Sequence, residues 1–170
     1  MGLDGIQLTG FLREAFFKNS LVVLEEAIPK SILKQDSQIR FLGENKKGSI
    51  FLVNDSQNKY LDDVQMTFLS DLLSACQLTM ADIALVNFSH NNDKNYQLFT
   101  EQLGAKKILM FGLTPKQLDL PFAIPFFQIQ NFNEQVYLIC PSLLEIQQDQ
   151  SLKKQLWDNL QKIFTIKKKK

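Results

Sequence analysis

Apolar positions along the chain change their period several times, and each change marks an expected element. Over residues 6–17, Ile6, Leu8, Phe11, Leu12, Ala15 and Phe16 recur near helical spacing, which predicts an amphipathic helix whose first turn is weakened by Gly10. Residues 20–26 (SLVVLEE) are β-branched at the centre but short, and Pro29 leads into a polar, irregular stretch through Arg40. Residues 1–40 are therefore read as a front helix and a connecting arm. After the Lys46-Lys47-Gly48 turn, residues 49–53 (SIFLV) form a nearly continuous apolar run, the pattern of a strand buried on both faces. The polar stretch 54–58 reads as a loop, and Leu61, Val64, Phe68, Leu69, Leu72, Leu73 and Cys76 then hold helical spacing over four turns.

A short capped turn at residues 79–82 precedes a second buried-strand run at 83–88 (IALVNF), and this β-α-β order implies a parallel pair with a right-handed crossover. Tyr96, Leu98, Phe99 and Leu103 suggest another helix closed by Gly104, followed by a third strand at 107–111 (KILMF) ending at Gly112. Thr114 and Pro115 have the residue types of an N-cap and first position of a short helix through Leu118, and Pro121 and Pro125 keep the next segment extended. Residues 126–130 and 135–140 read as strands around a 131–134 connection, with Pro141 ending the second. Leu152, Leu156, Trp157, Leu160, Ile163 and Phe164 share one face of a last helix that starts near Asp149 or Ser151. Residues 41–166 are thus expected to form one α/β domain, a three-layer α/β/α sandwich around a mostly parallel four- or five-stranded sheet, with 167–170 as a solvated lysine tail.

Composition narrows the chemistry. The chain has 170 residues, 45% hydrophobic and 22% charged, enough for one core. Nineteen basic against 18 acidic residues leave a net charge of +1, so no broad basic field exists for duplex binding and any nucleic-acid contact has to be local; direct binding is expected to be weak or absent. The two cysteines, Cys76 and Cys140, make no disulfide framework and no zinc spacing, which suits a reducing cytoplasm. Arg13, Glu14 and Lys18 interrupt the apolar residues at the amino terminus, and no apolar run approaches the length of a membrane span, so neither secretion nor a membrane partner is expected. Seven scattered glycines include no phosphate-binding loop, and no cofactor or metal is expected. A single histidine leans the chain away from enzymes.

In a mostly parallel sheet the crevice lies beyond the carboxyl ends of the strands, so the candidate residues are those that follow them. Asn54 and Asp55 bring acceptors and donors that would hold water or a ribose, or else form an Asx turn. Asn87 ends the second strand, and His90 would act as a base if a nucleophile stood close, or is simply solvated. Cys140 is a candidate thiol that needs a neighbouring base to react, or a small buried hydrophobe; Ser142 offers a hydroxyl or a cap for the next turn. At the front, Phe11, Leu12, Phe16 and Phe17 give the first helix a face that either packs inward or meets a partner.

Val53-Asn54-Asp55, the helix to Cys76, the Leu78-Thr79 turn into the 83–87 strand, and Cys140-Pro141-Ser142 together resemble the uracil-DNA glycosylase-like fold. In active members of that fold the first loop holds a water-activating Asp or Glu and the last holds His-Pro-Ser. The resemblance places Asp55 in the first position, without its usual Pro, and Cys140 where the histidine would stand, which removes the imidazole that stabilises the departing base. With Phe68-Leu69, Leu72-Leu73, Leu113-Thr114-Pro115 and the run from Pro141 to Trp157 and Phe164 added, the chain resembles the non-catalytic psi-subunit family of bacterial DNA polymerase III. That resemblance implies a bridging subunit of the replicase: the 6–17 segment, with Phe11, Leu12, Phe16 and Phe17, docks on the clamp-loader ATPase, and the domain binds a chi-like subunit. The rival expectations are a base-excision hydrolase using Asp55 with His90 or Ser142, and an interaction domain of another pathway.

Overall fold

The computed structural model describes residues 38–91 and 95–165. The expected front helix at 6–17, the arm before residue 38 and the lysine tail lie outside them. Five strands form one sheet: β1 (Ser49–Val53), β2 (Ile83–Asn87), β3 (Lys107–Phe111), β4 (Ile129–Phe132) and β5 (Gln135–Cys140), in the spatial order β2-β1-β3-β5-β4. The first four neighbours pair in parallel, and β4 joins the β5 edge antiparallel. Every residue of β1 and β2 is buried, which is why these strands read as unbroken apolar runs instead of alternating ones.

Among the described residues four α-helices accompany the sheet: α1 (Asp63–Ala75), α2 (Tyr96–Leu103), α3 (Leu143–Gln148) and α4 (Gln150–Ile163). Each begins on a side chain that accepts from the first-turn amides. Asp62 caps α1 through Gln65 N–H at 2.7 Å, Asn95 caps α2, Ser142 caps α3 and Asp149 caps α4. Gly104, at φ +57°, closes α2 in the left-handed conformation that a C′ glycine adopts freely.

The pleat divides the strand residues between two cores. Ile50, Leu52, Val86, Met110 and Tyr137 face Phe99 of α2 and Leu118 and Ile124 of the β3–β4 connection. Phe51, Leu85, Phe111, Leu138 and Cys140 face Leu69 and Leu73 of α1, Ile146 of α3 and Leu156 and Leu160 of α4. The chain steps from β1 outward to β2, then back across β1 to β3, and the two crossover helices fall on opposite faces. A right-handed crossover requires this when the direction of travel reverses. The outer edge of β2 is covered by the chain leading into β1: Leu42 and Leu85 exchange backbone hydrogen bonds at 2.9 and 2.8 Å, and Asn45 N–H donates to the Ile83 carbonyl.

Two local expectations are corrected, and one short helix is added to those expected. The strand expected at 126–130 lies at Ile129–Phe132, because Pro125 opens a turn in which Gln128 N–H donates to the Pro125 carbonyl and Phe127 sits at φ +60°. The second strand stops at Asn87 instead of Phe88, since the Asn87 side chain accepts from Ser89 N–H and bends the chain into a 3₁₀ turn. The residues after Ser142 form a separate six-residue helix, α3, before the last helix starts on Asp149.

Candidate functional site

Where β1 and β3 send their chains to opposite faces, a crevice opens at the carboxyl edge of the sheet. The loop after β1 forms one wall. Asp55 turns its carboxylate back onto this loop, accepting from the backbone N–H of Gln57 at 2.8 Å and Asn58 at 3.0 Å and from Asn58 Nδ2 at 2.9 Å. This is the Asx turn that the loop composition allows. Partial burial pushes the Asp55 carboxyl up, but the bonds from Asn58 and Gln57, with a smaller attraction to His90, outweigh it and hold the group below the ordinary carboxylate range.

Asn87, 1% exposed, ties the loop to the sheet. Its Oδ1 accepts from Asp55 N–H and Ser89 N–H, both at 3.1 Å. Its Nδ2 donates to the carbonyls of Asp55 at 2.6 Å, Asn58 at 2.9 Å and Lys59 at 3.3 Å. The carboxamide is the one neutral side chain that presents two donors and an acceptor to such a ring of backbone groups. Asn54, exposed above it, accepts from the Ser89 hydroxyl at 2.6 Å.

The opposite wall comes from the end of β5. Cys140 is fully buried in the core beneath the cleft, and burial pushes its thiol strongly upward, away from the thiolate form. Two residues on, Ser142 and Glu145 form a reciprocal cap: the Glu145 carboxylate accepts from Ser142 N–H at 2.8 Å and from its hydroxyl at 2.7 Å. Those two bonds hold the Glu145 carboxyl below its usual range. Gly112, at φ +66° after β3, lets Ser142 approach: a Cβ there would stand 3.2 Å from Ser142 Cβ.

Between these walls lies a cleft of about 380 Å³, lined by Asn54, Asp55 and Asn58 on one side, Ser142 and Leu144 on the other, and Phe111 at the base. Asn54, Asp55 and Ser142 are thus brought together. Cys140 lies in the core and is not among the lining residues, and Asn87 is a strut between loops. His90 faces a second cleft of about 330 Å³, lined by Arg40, Lys59, Tyr60, Asn87, His90 and Asn91.

Asn91 is a residue that sequence reading missed. It is 8% exposed, accepts from Arg40 N–H at 2.8 Å, and donates through Nδ2 to the carbonyls of Asn87 at 2.7 Å and Arg40 at 3.3 Å. Nothing local marks it, because its partner Arg40 lies 51 residues away in sequence. Among the described residues no group of three or more His, Cys, Asp or Glu side chains is placed to hold a metal ion, and no helix is long and apolar enough to cross a membrane.

Fold and site define an α/β domain with a mostly parallel sheet and a polar cleft at its carboxyl edge. No protein-family model matches the chain, and no curated protein matches it.

Proposed function

We propose that the chain is a non-catalytic bridging subunit of the bacterial replicase, similar to the psi subunit, built on a three-layer α/β/α sandwich of the uracil-DNA glycosylase kind. The strand order β2-β1-β3-β5, with apolar cores on both faces of the sheet, supports that architecture. The observation on which the functional reading rests is the end of β5: a buried thiol, Cys140, stands where the glycosylase-like resemblance would place an imidazole. A buried thiol with a raised pKa supplies neither a proton donor nor a cation to a departing base anion. Asp55, the matching carboxylate, accepts three hydrogen bonds from its own loop, from Gln57 and Asn58.

In this reading the segment with Phe11, Leu12, Phe16 and Phe17 docks on clamp-loader ATPase subunits, and the domain binds a chi-like subunit. Co-purification of the full chain with clamp-loader subunits tests it. Capture by the full chain and its loss on deleting the first 19 residues is the expected result. Equal capture by the shortened chain would remove the docking role. Excision of uracil from single strands by the wild type, abolished in Asp55→Asn, would replace the bridging reading with a hydrolase.

A further inference from the structure

The second cleft differs from the first in charge. Arg40 and Lys59 are exposed and line it, and among the described residues neither pairs with a carboxylate; the ion pairs there join Lys46 to Glu44 and Lys47 to Asp82. Among the described residues no Asp or Glu lines it, and His90 adds an imidazole to its wall. The carboxylate of Asp55 attracts His90, but its oxygens are turned onto its own loop. Tyr60 supplies an aromatic face, with the Lys59 ammonium 5.6 Å from its centroid.

The backbones that bear the two cations are both fixed. Asn87 holds the Lys59 carbonyl, Asn91 holds Arg40 through its N–H and its carbonyl, and Asn91 Nδ2 bonds the Asn87 carbonyl at 2.7 Å. Two buried carboxamides, linked to each other, therefore fix the backbones from which two cationic side chains extend at this cleft. Such pre-organisation lowers the ordering cost of binding an anion. The volume, about 330 Å³, lies in the range of small-ligand pockets.

We propose that this cleft binds a nucleotide, with its phosphate between Arg40 and Lys59 and its base against Tyr60. The nucleotide is either free or one unit of a single strand. Guanidinium and ammonium groups favour phosphate oxygens, and an aromatic ring accepts any base face without reading its edges. A local site of this kind is compatible with a net charge of +1, which rules out a broad basic surface but not two cations fixed at one cleft. The inference is independent of the bridging role.

Fluorescence anisotropy of the full chain with a fluorescein-labelled oligothymidylate at low salt, with competition by thymidine monophosphate, tests it. Saturable binding is expected, weakened about tenfold by Arg40→Ala and by Lys59→Ala, with the logarithmic salt slope reduced by about one in each. Lys59→Arg retains binding, and Lys116→Ala, outside the cleft, leaves it unchanged. Displacement by the mononucleotide at concentrations similar to those of unlabelled oligomer identifies a free nucleotide as the ligand; displacement by the oligomer alone identifies a strand. Because Arg40 and Lys59 are exposed, their variants should keep the wild-type urea midpoint. Absence of saturable binding, or binding that neither alanine variant weakens, overturns the proposal.

Discussion

Asn87 makes five hydrogen bonds with one carboxamide, and they join the end of β2 to three carbonyls and an amide of the loop after β1 and to its own following turn. Alanine at this position leaves those groups without partners at a site 1% exposed. Asn87→Ala is expected to destabilise the fold by about 3 kcal/mol, read from urea unfolding; a loss below about 1 kcal/mol would mean that water replaces the amide. Three carboxylates define a second expectation. Asp55 is lowered by its loop despite partial burial, Asp82 by the Thr79 backbone and side chain and by Lys47, and Glu145 by the Ser142 hydroxyl and backbone. A folded-state pKa below the unfolded one means that the unfolded chain binds more protons as the pH falls. Their stabilisation is therefore complete above about pH 5 and is lost as acid titrates the folded groups. The urea midpoint should fall between about pH 5 and 3, and Asp55→Asn, which can keep the turn, should flatten part of that slope.

At the level of elements, residue types that define ends matter as much as apolar spacing. The β4–β5 hairpin turns through Asn133 and Glu134, at φ +48° and +63°, between the paired residues Phe132 and Gln135. Two left-handed central residues are the mark of a type I′ turn, in which asparagine is well suited and glutamate is not. Glu134→Gly is expected to stabilise the protein by about 1 kcal/mol in thermal or urea unfolding. The expectation fails if the midpoint drops. The six-residue α3 depends on its cap, since so short a helix has little propensity to draw on. Ser142→Ala should cost about 1 kcal/mol and let the Glu145 carboxyl return toward its ordinary range in an NMR titration. Ser142 was legible as a cap for the turn after β5, whereas its pairing with Glu145 and the position of β4 were not. Phe126 and Phe127 are equally apolar in a strand or in the turn after Pro125, and the turn is set by Gln128 N–H donating to the Pro125 carbonyl with Phe127 at φ +60°.

Across the whole molecule, a sheet covered on both faces leaves its thiols in the interior. Burial pushes Cys76 to about 11 and Cys140 higher still. Ellman's reagent at pH 8 should find neither cysteine in the native protein and both after unfolding; rapid reaction of the native form would show that the α4 side of the core opens. The sequence by itself determined the central strands and the long α1 helix, because burial on both faces writes an unbroken apolar run and burial on one face writes a 3.6-residue period. It also marked Asn54, Asp55 and Ser142 as residues following strand ends. Tertiary structure alone decided which of the marked residues share a cleft. The order β2-β1-β3-β5 sets the ends of β1 and β5 on either side of β3, so Asp55 and Ser142 line one cavity while His90, at the end of β2, faces another. It alone paired Asn91 with Arg40 and Asn87 with the loop beyond β1. Hydrogen bonds between segments distant in the chain leave no periodic trace, since one asparagine is enough to make them and nothing beside it has to change.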